Sequence, residues 1–170
     1  MIPAEKRNSV RIVELPACKL VWSGVCTEKE PFSENSLLRR FEAWWNTQDA
    51  LRKDRFYARD FMWWDEQARG FAWGLAVSEI PEDTGGYEII DFLGGLYAVA
   101  NFVDDDSDPG GGLAVYTMVN DWIENSGCFE NDRDRYNLNH FIGTPKAKEA
   151  MGYGQQDLYM PIRIKEGIAK

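Results

Sequence analysis

The stretch YEIIDFLGGLYAVANF, Tyr87–Phe102, decides how this chain is read. Branched and aromatic residues on both sides give it the composition of a β-strand. Yet Gly94 and Gly95 interrupt it, and an aromatic, Tyr97, follows almost at once. Glycine inside a strand pattern marks a bulge, a bend or the close approach of another group. A similar pattern runs through VRIVELPACKLVWSG, Val10–Gly24, with Pro16–Ala17 at the interruption. A displacement of 77 residues brings Leu15–Pro16–Ala17 onto Phe92–Leu93–Gly94, Leu38 onto Val115, Phe41 onto Met118 and Trp45 onto Trp122. The same displacement brings Met62 onto Asn139 and Trp64 onto Phe141. The order strand, helix, strand, strand is expected twice, which reads as an internal duplication. The expected fold is α+β: duplicated β-α-β-β units, antiparallel sheets with helices on one side, and a central ligand groove where the uncovered faces meet. One domain spans residues 1–170, with repeats over about 9–80 and 87–165.

Outward from that stretch, hydrophobic periodicity places the other elements. Leu37, Leu38, Phe41, Trp44 and Trp45 form one face of a helix over about 33–47, with Ser33 as its cap. Arg55–Glu66 reads as an aromatic-rich strand. Gly70–Ile80 alternates, with Phe71, Trp73, Leu75 and Val77 on one face and Gly70, Ala72, Gly74 and Ala76 on the other. A face of glycine and alanine lets a helix or a ligand come close. Leu113–Asn125 reads as a second helix closed by Ser126–Gly127. Arg135–Gly143 and Asp157–Lys165 read as the last strands, with a long polar loop between them. The run DDDSDPGGG, Asp104–Gly112, lacks the Lys-Ser/Thr of a phosphate loop and the spacing of a calcium loop, and reads as solvated.

Composition narrows the function classes. The chain has 170 residues, 44% of them hydrophobic and 14% aromatic, enough for a real core. A net charge of −9 argues against direct nucleic-acid binding, which needs a basic face. Three cysteines, Cys18, Cys26 and Cys128, lack metal-like spacing and suggest reduced thiols in a cytoplasm. A single histidine, His140, argues against a multi-histidine metal site. No apolar run approaches membrane-spanning length, and the N-terminus lacks the pattern of a signal peptide. No metal and no cofactor are expected.

The motifs VELPACKLV (Val13–Val21), EIIDFLGGLYAVANF (Glu88–Phe102), YTMVNDWIENSG (Tyr116–Gly127), LNHF (Leu138–Phe141) and DLYMPIRIK (Asp157–Lys165) together resemble the GyrI-like small-molecule-binding domain. GGLYAV with LYMPIRIK is the most specific part. That domain is also the effector-binding half of AraC-type and MerR-type multidrug regulators. The resemblance spans nearly the whole chain and implies a groove for lipophilic ligands, cationic ones among them. Some stand-alone members of the family resemble hydrolases of cyclopropane-bearing natural products, and another an antagonist of gyrase-inhibiting toxins. The family often carries an acid where this chain has Asn139, and Glu where it has Asp157. The first repeat begins near Ser9, which leaves no room for a DNA-binding segment ahead of it.

Alternation assigns the groove lining. Asn139 and Phe141 share a face, with His140 and Ile142 on the other. The 77-residue displacement adds Met62 and Trp64 to the Asn139 face. Leu158, Met160, Ile162 and Ile164 form an apolar set assigned to the helix side, which turns Asp157 and Tyr159 to the groove. The expected lining is Met62, Trp64, Trp73, Tyr97, Asn139, Phe141, Asp157 and Tyr159, with Tyr116 reaching in from the second helix. Binding of a lipophilic small molecule, for sequestration, resistance or sensing, is the leading expectation, and binding without catalysis is preferred. The alternatives are a hydrolase, for which Asp157 or Glu79 would be the acid, and a protein-interaction module. A homodimer or another protein partner is left open.

Overall fold

Gly94 and Gly95 have φ of +67° and +111°, a backbone region that side-chain-bearing residues avoid. The computed structural model describes residues 9–48, 60–105, 107–108 and 110–168. In it the glycine step divides two strands, β5 (Ile89–Phe92) and β6 (Gly95–Asp104), which belong to different compact units. The Pro16–Ala17 step does the same between β1 (Arg11–Leu15) and β2 (Cys18–Cys26). Neither step is a bulge within one continuous strand, as the sequence suggested; each is a point where the chain passes from one compact unit to the other. One unit holds the chain through Leu15 and again from Gly95 onward; the other is Pro16–Gly94.

The Pro16–Gly94 unit contains β2, α1 (Leu37–Asn46), β3 (Asp60–Asp65), β4 (Gly70–Val77) and β5. Its antiparallel sheet runs β3-β4-β2-β5. Helix α1 starts later than expected. Its cap is Ser36, not Ser33; the buried Ser36 hydroxyl accepts from the Arg39 amide at 3.3 Å. Leu38 and Phe41 are fully buried beneath the helix, and Trp45 packs edge-on against Trp73 of β4 at 4.6 Å. Strand β2 carries an irregularity between Trp22 and Val25, where Gly24 has φ +76° and Ser23 Oγ accepts from the Trp73 amide at 3.0 Å. Residues 55–59 of the expected Arg55–Glu66 strand lie outside the described residues.

The other unit contains β1, β6, α2 (Gly111–Asn125), β7 (Phe129–Asn131), β8 (Leu138–Ile142), α3 (Pro145–Met151) and β9 (Gly154–Ile164). Its sheet runs β1-β6-β9-β8, all antiparallel, and β7 also pairs with β9. Val119 and Ile123 of α2 bury against Ala98, Ala100, Leu158, Met160 and Ile162. Ile164, expected to extend this set, is 45% exposed and lies outside the cluster, which ends at Ile162. The supposed polar loop before β9 contains a helix: Thr144 caps it by accepting from the Ala147 amide, Pro145 opens it and Gly152 closes it at φ +78°.

Strand pairing repeats between the units. Cys18 pairs with Phe92, and 77 residues on in one case and back in the other, Gly95 pairs with Leu15. Met62 pairs with Trp73, as Asn139 pairs with Leu158. The first members differ by 77 and the second by 85, since α3 is inserted ahead of β9.

Burial on α2 gives the first prediction. Ile123→Ala is expected to cost about 2–5 kcal/mol in urea unfolding. Tyr116→Ala, at a side chain 41% exposed on the same helix, should stay within about 0.5 kcal/mol.

Candidate functional site

In an antiparallel sheet directly paired residues share a face. Tyr97 pairs with Pro161, Val99 with Tyr159 and Asn101 with Asp157. On the β8 side Leu138 pairs with Tyr159 and His140 with Asp157. On the β1 side Arg11 pairs with Val99 and Val13 with Tyr97. These residues make up the sheet face opposite the one that α2 covers through Ala98, Ala100, Leu158 and Met160.

Asp157 sits within this face and is only 6% exposed. Burying a carboxylate is costly unless its oxygens are bonded. Oδ2 accepts from Arg11 Nη2 at 2.5 Å, and Oδ1 accepts from Asn101 Nδ2 at 3.4 Å. Tyr159, two residues on, meets Tyr97 edge to face with ring centres 6.0 Å apart. The guanidinium of Arg135 lies over Tyr97, 4.7 Å from its centre. Arg135 is held by Asp132 at 2.8 Å and by the carbonyls of Leu96 and Ile162 at 3.0 and 2.9 Å. Gly95 gives this guanidinium its room, since a Cβ there would come within 2.6 Å of Arg135 Nη1. Tyr97 is 1% exposed and lies on this face against Tyr159.

The face of the Pro16–Gly94 unit opposite α1 is also ring-bearing. Phe61 pairs with Gly74 and Trp63 with Ala72, which puts both rings over the glycine and alanine positions. The Trp22 and Trp63 rings are nearly parallel, 7° apart in plane and 6.2 Å between centres. A Cβ on Gly74 would meet Trp63 at 3.1 Å, so glycine there makes room for the indole. Trp22 Nε1 is buried without a hydrogen-bond partner among the described residues.

Of the expected lining, Tyr97, Asp157 and Tyr159 come together on one face. Asn139 and Phe141 do not join them. Asn139 pairs with Leu158 and donates to Gln156 Oε1 at 3.1 Å, and Phe141 pairs with Gln156, so both lie on the α2 side of their sheet. Their neighbour His140, expected on the helix side, takes the Asp157 face instead. Tyr116 belongs to α2 and so lies across the sheet from Asp157. Met62, Trp64 and Trp73 share the α1 side of their own sheet. Met62 pairs with Trp73, Trp64 packs on Phe71 at 4.9 Å, and Trp73 donates to Asp60 Oδ2 at 3.1 Å. Glu79 is exposed, beyond the end of β4. Sequence reasoning missed Arg11, Asn101, Trp22 and Trp63. For Trp63 the available signal was parity: it falls between Met62 and Trp64, one residue off the positions chosen for the lining.

Other features carry less. A cavity of about 500 Å³ beside β7 is lined by Glu124, Glu130, Asp134, Arg133, Arg163 and Lys165 among others, charges of both signs with Arg163 paired to Glu130 at 2.7 Å. Among the described residues no cluster of three His, Cys, Asp or Glu is placed to hold a metal, and no helix is long and apolar enough to cross a membrane.

Burial raises the Tyr97 hydroxyl above its ordinary value; Arg135 opposes the rise through its charge and hydrogen bond, and Asp132 adds to it. In the unfolded chain this tyrosine ionises near pH 10, at about its ordinary value. The stability that neutral Tyr97 contributes is whole below that pH and is lost as pH climbs through the raised folded value. Tyr97→Phe is therefore expected to shift the alkaline unfolding midpoint, followed by circular dichroism, to higher pH. It should also remove one late-titrating phenolate from the absorbance titration.

Comparison of the sequence with protein-family models and with curated proteins gives no match. Solved structures do match the fold. SAV2435 bound to tetraphenylphosphonium aligns with TM-score 0.56 and 11% identity over 91% of this chain and 93% of that one. A hydrolase from Listeria innocua aligns with TM-score 0.60 and 13% identity over 91% and 92%. The EcmrR C-terminal domain aligns with TM-score 0.58 and 10% identity over 91% and 96%. At these identities the likeness is one of fold.

Proposed function

We propose that this chain is a GyrI-like small-molecule-binding domain whose guests are lipophilic and ring-bearing. In this reading it is one domain built from two repeats, over about 9–80 and 87–165. The observation that carries the reading is the sheet face opposite α2, on which buried Asp157 lies beside Tyr159 and Tyr97. Rings offer an aromatic guest both contact area and their negative faces, and the carboxylate gives the face one fixed polar point. The fold shared with SAV2435, whose structure holds tetraphenylphosphonium, supports the same reading.

The binding residues proposed are Tyr159 and Asp157 at the face, Tyr97 as support, and His140 and Asn101 at the flanks. The stacked Trp22 and Trp63 give the Pro16–Gly94 unit a ring-bearing surface of its own. A hydrolytic role would call for an acid free to give its proton. Both Asp157 oxygens accept hydrogen bonds, from Arg11 and Asn101, which suits binding better than proton donation.

Titration calorimetry with tetraphenylphosphonium and with its neutral relative triphenylphosphine oxide tests the proposal. At least one probe is expected to bind, and Tyr159→Ala to weaken that binding about threefold to thirtyfold. Heat signals absent for both probes, with no thermal shift at high concentration, would sink it.

A further inference from the structure

We infer that Arg11 sets the charge preference of the Asp157 face by acting as a built-in cation. The inference rests on the binding reading above and adds to it the class of guest. The Asp157 side chain is 9% exposed, whereas that of Arg11 is 59% exposed. The carboxylate is fixed in the sheet while its cation reaches in from outside. Arg11 opens the edge strand β1, which pairs with β6, and the preceding Val10 anchors the strand at 7% exposure.

With the guanidinium in place, the acid and Arg11 form a neutral pair. A neutral ring-bearing guest can pack on Tyr159 without disturbing it. An organic cation meets two obstacles. The position of lowest energy for its charge, close to Oδ2, is occupied by Nη2. The guanidinium also repels it across a short, partly dry distance. To profit from Asp157 the guest must push Arg11 out into water. That motion is open to a side chain already largely exposed, but it breaks a charge-assisted hydrogen bond that tetraphenylphosphonium, with no N–H or O–H, cannot replace. Arg11 is thus a specificity-determining residue that favours neutral aromatic guests over cationic ones.

The test is calorimetry with tetraphenylphosphonium and triphenylphosphine oxide on the full chain and on Arg11→Gln, Arg11→Lys and Arg11→Gln/Asp157→Asn. Thermal melts confirm that each variant is folded. Arg11→Gln is expected to bind the phosphonium about tenfold more tightly and the neutral oxide with unchanged affinity. Arg11→Lys should keep the wild-type preference, and the double variant should lose the gain. Three results overturn the inference and leave small-molecule binding standing: an unchanged or weaker phosphonium affinity in Arg11→Gln, an equal gain for both probes, or a gain that survives Asp157→Asn. Failure of every protein to bind either probe overturns the binding reading and this inference with it.

Discussion

The packing of α2 onto Ala98, Ala100, Leu158, Met160 and Ile162 governs what the rest of that unit can present. A strand has two faces, and a helix that claims one assigns the other by default. Once Leu158 and Met160 are under the helix, Asp157 and Tyr159 must point away from it. Neither polar group nor ring needs a special backbone to arrive there. Their buried positions then follow from partners on the same face: Arg11 and Asn101 for the carboxylate, Tyr97 for the ring.

That logic also explains what was legible in the sequence and what was not. The apolar spacing of the last strand identified its helix face, so Asp157 and Tyr159 were placed together by alternation alone. The alternation of Gly70–Val77 was equally clear, since small and large residues occupy strictly opposite faces. Asn139 and Phe141 failed for a different reason. Their spacing fixed that they share a face with each other, but only the register between β8 and β9 says which face it is. A slip of one residue exchanges the two sides of a strand. That register depends on the connection between the strands, which holds helix α3. Thr144, Pro145 and Gly152 are ordinary signals for a helix start and stop. The segment between them has no buried residue to give an apolar stripe, so periodicity did not reveal it.

The same displacement that related Met62 to Asn139 was sound, and it carried the error across. Because the pairing of β3 with β4 repeats that of β8 with β9, the parity of one strand sets the parity of its counterpart. Met62, Trp64 and Trp73 accordingly share the helix side of their sheet. Trp63, between two of them, stacks with Trp22 on the opposite side. Arg11 escaped notice because an exposed residue near the start of an edge strand has no pattern to betray a partner 146 positions away.

The two passages at Pro16–Ala17 and Leu93–Gly94 have a consequence for how the chain is born. Pro16–Gly94 is continuous, so every strand of its sheet has left the ribosome by the time Gly94 does. Strand β1 emerges first of all, yet its partner β6 begins only at Gly95. It must wait as an unpaired edge while a whole unit is made, and its pairing closes a loop that spans the Pro16–Gly94 unit. Contacts so distant in sequence form late and slowly. The acid at Asp157 is made later still, so Arg11, among the earliest described residues of the chain, acquires its charge partner near the end of synthesis.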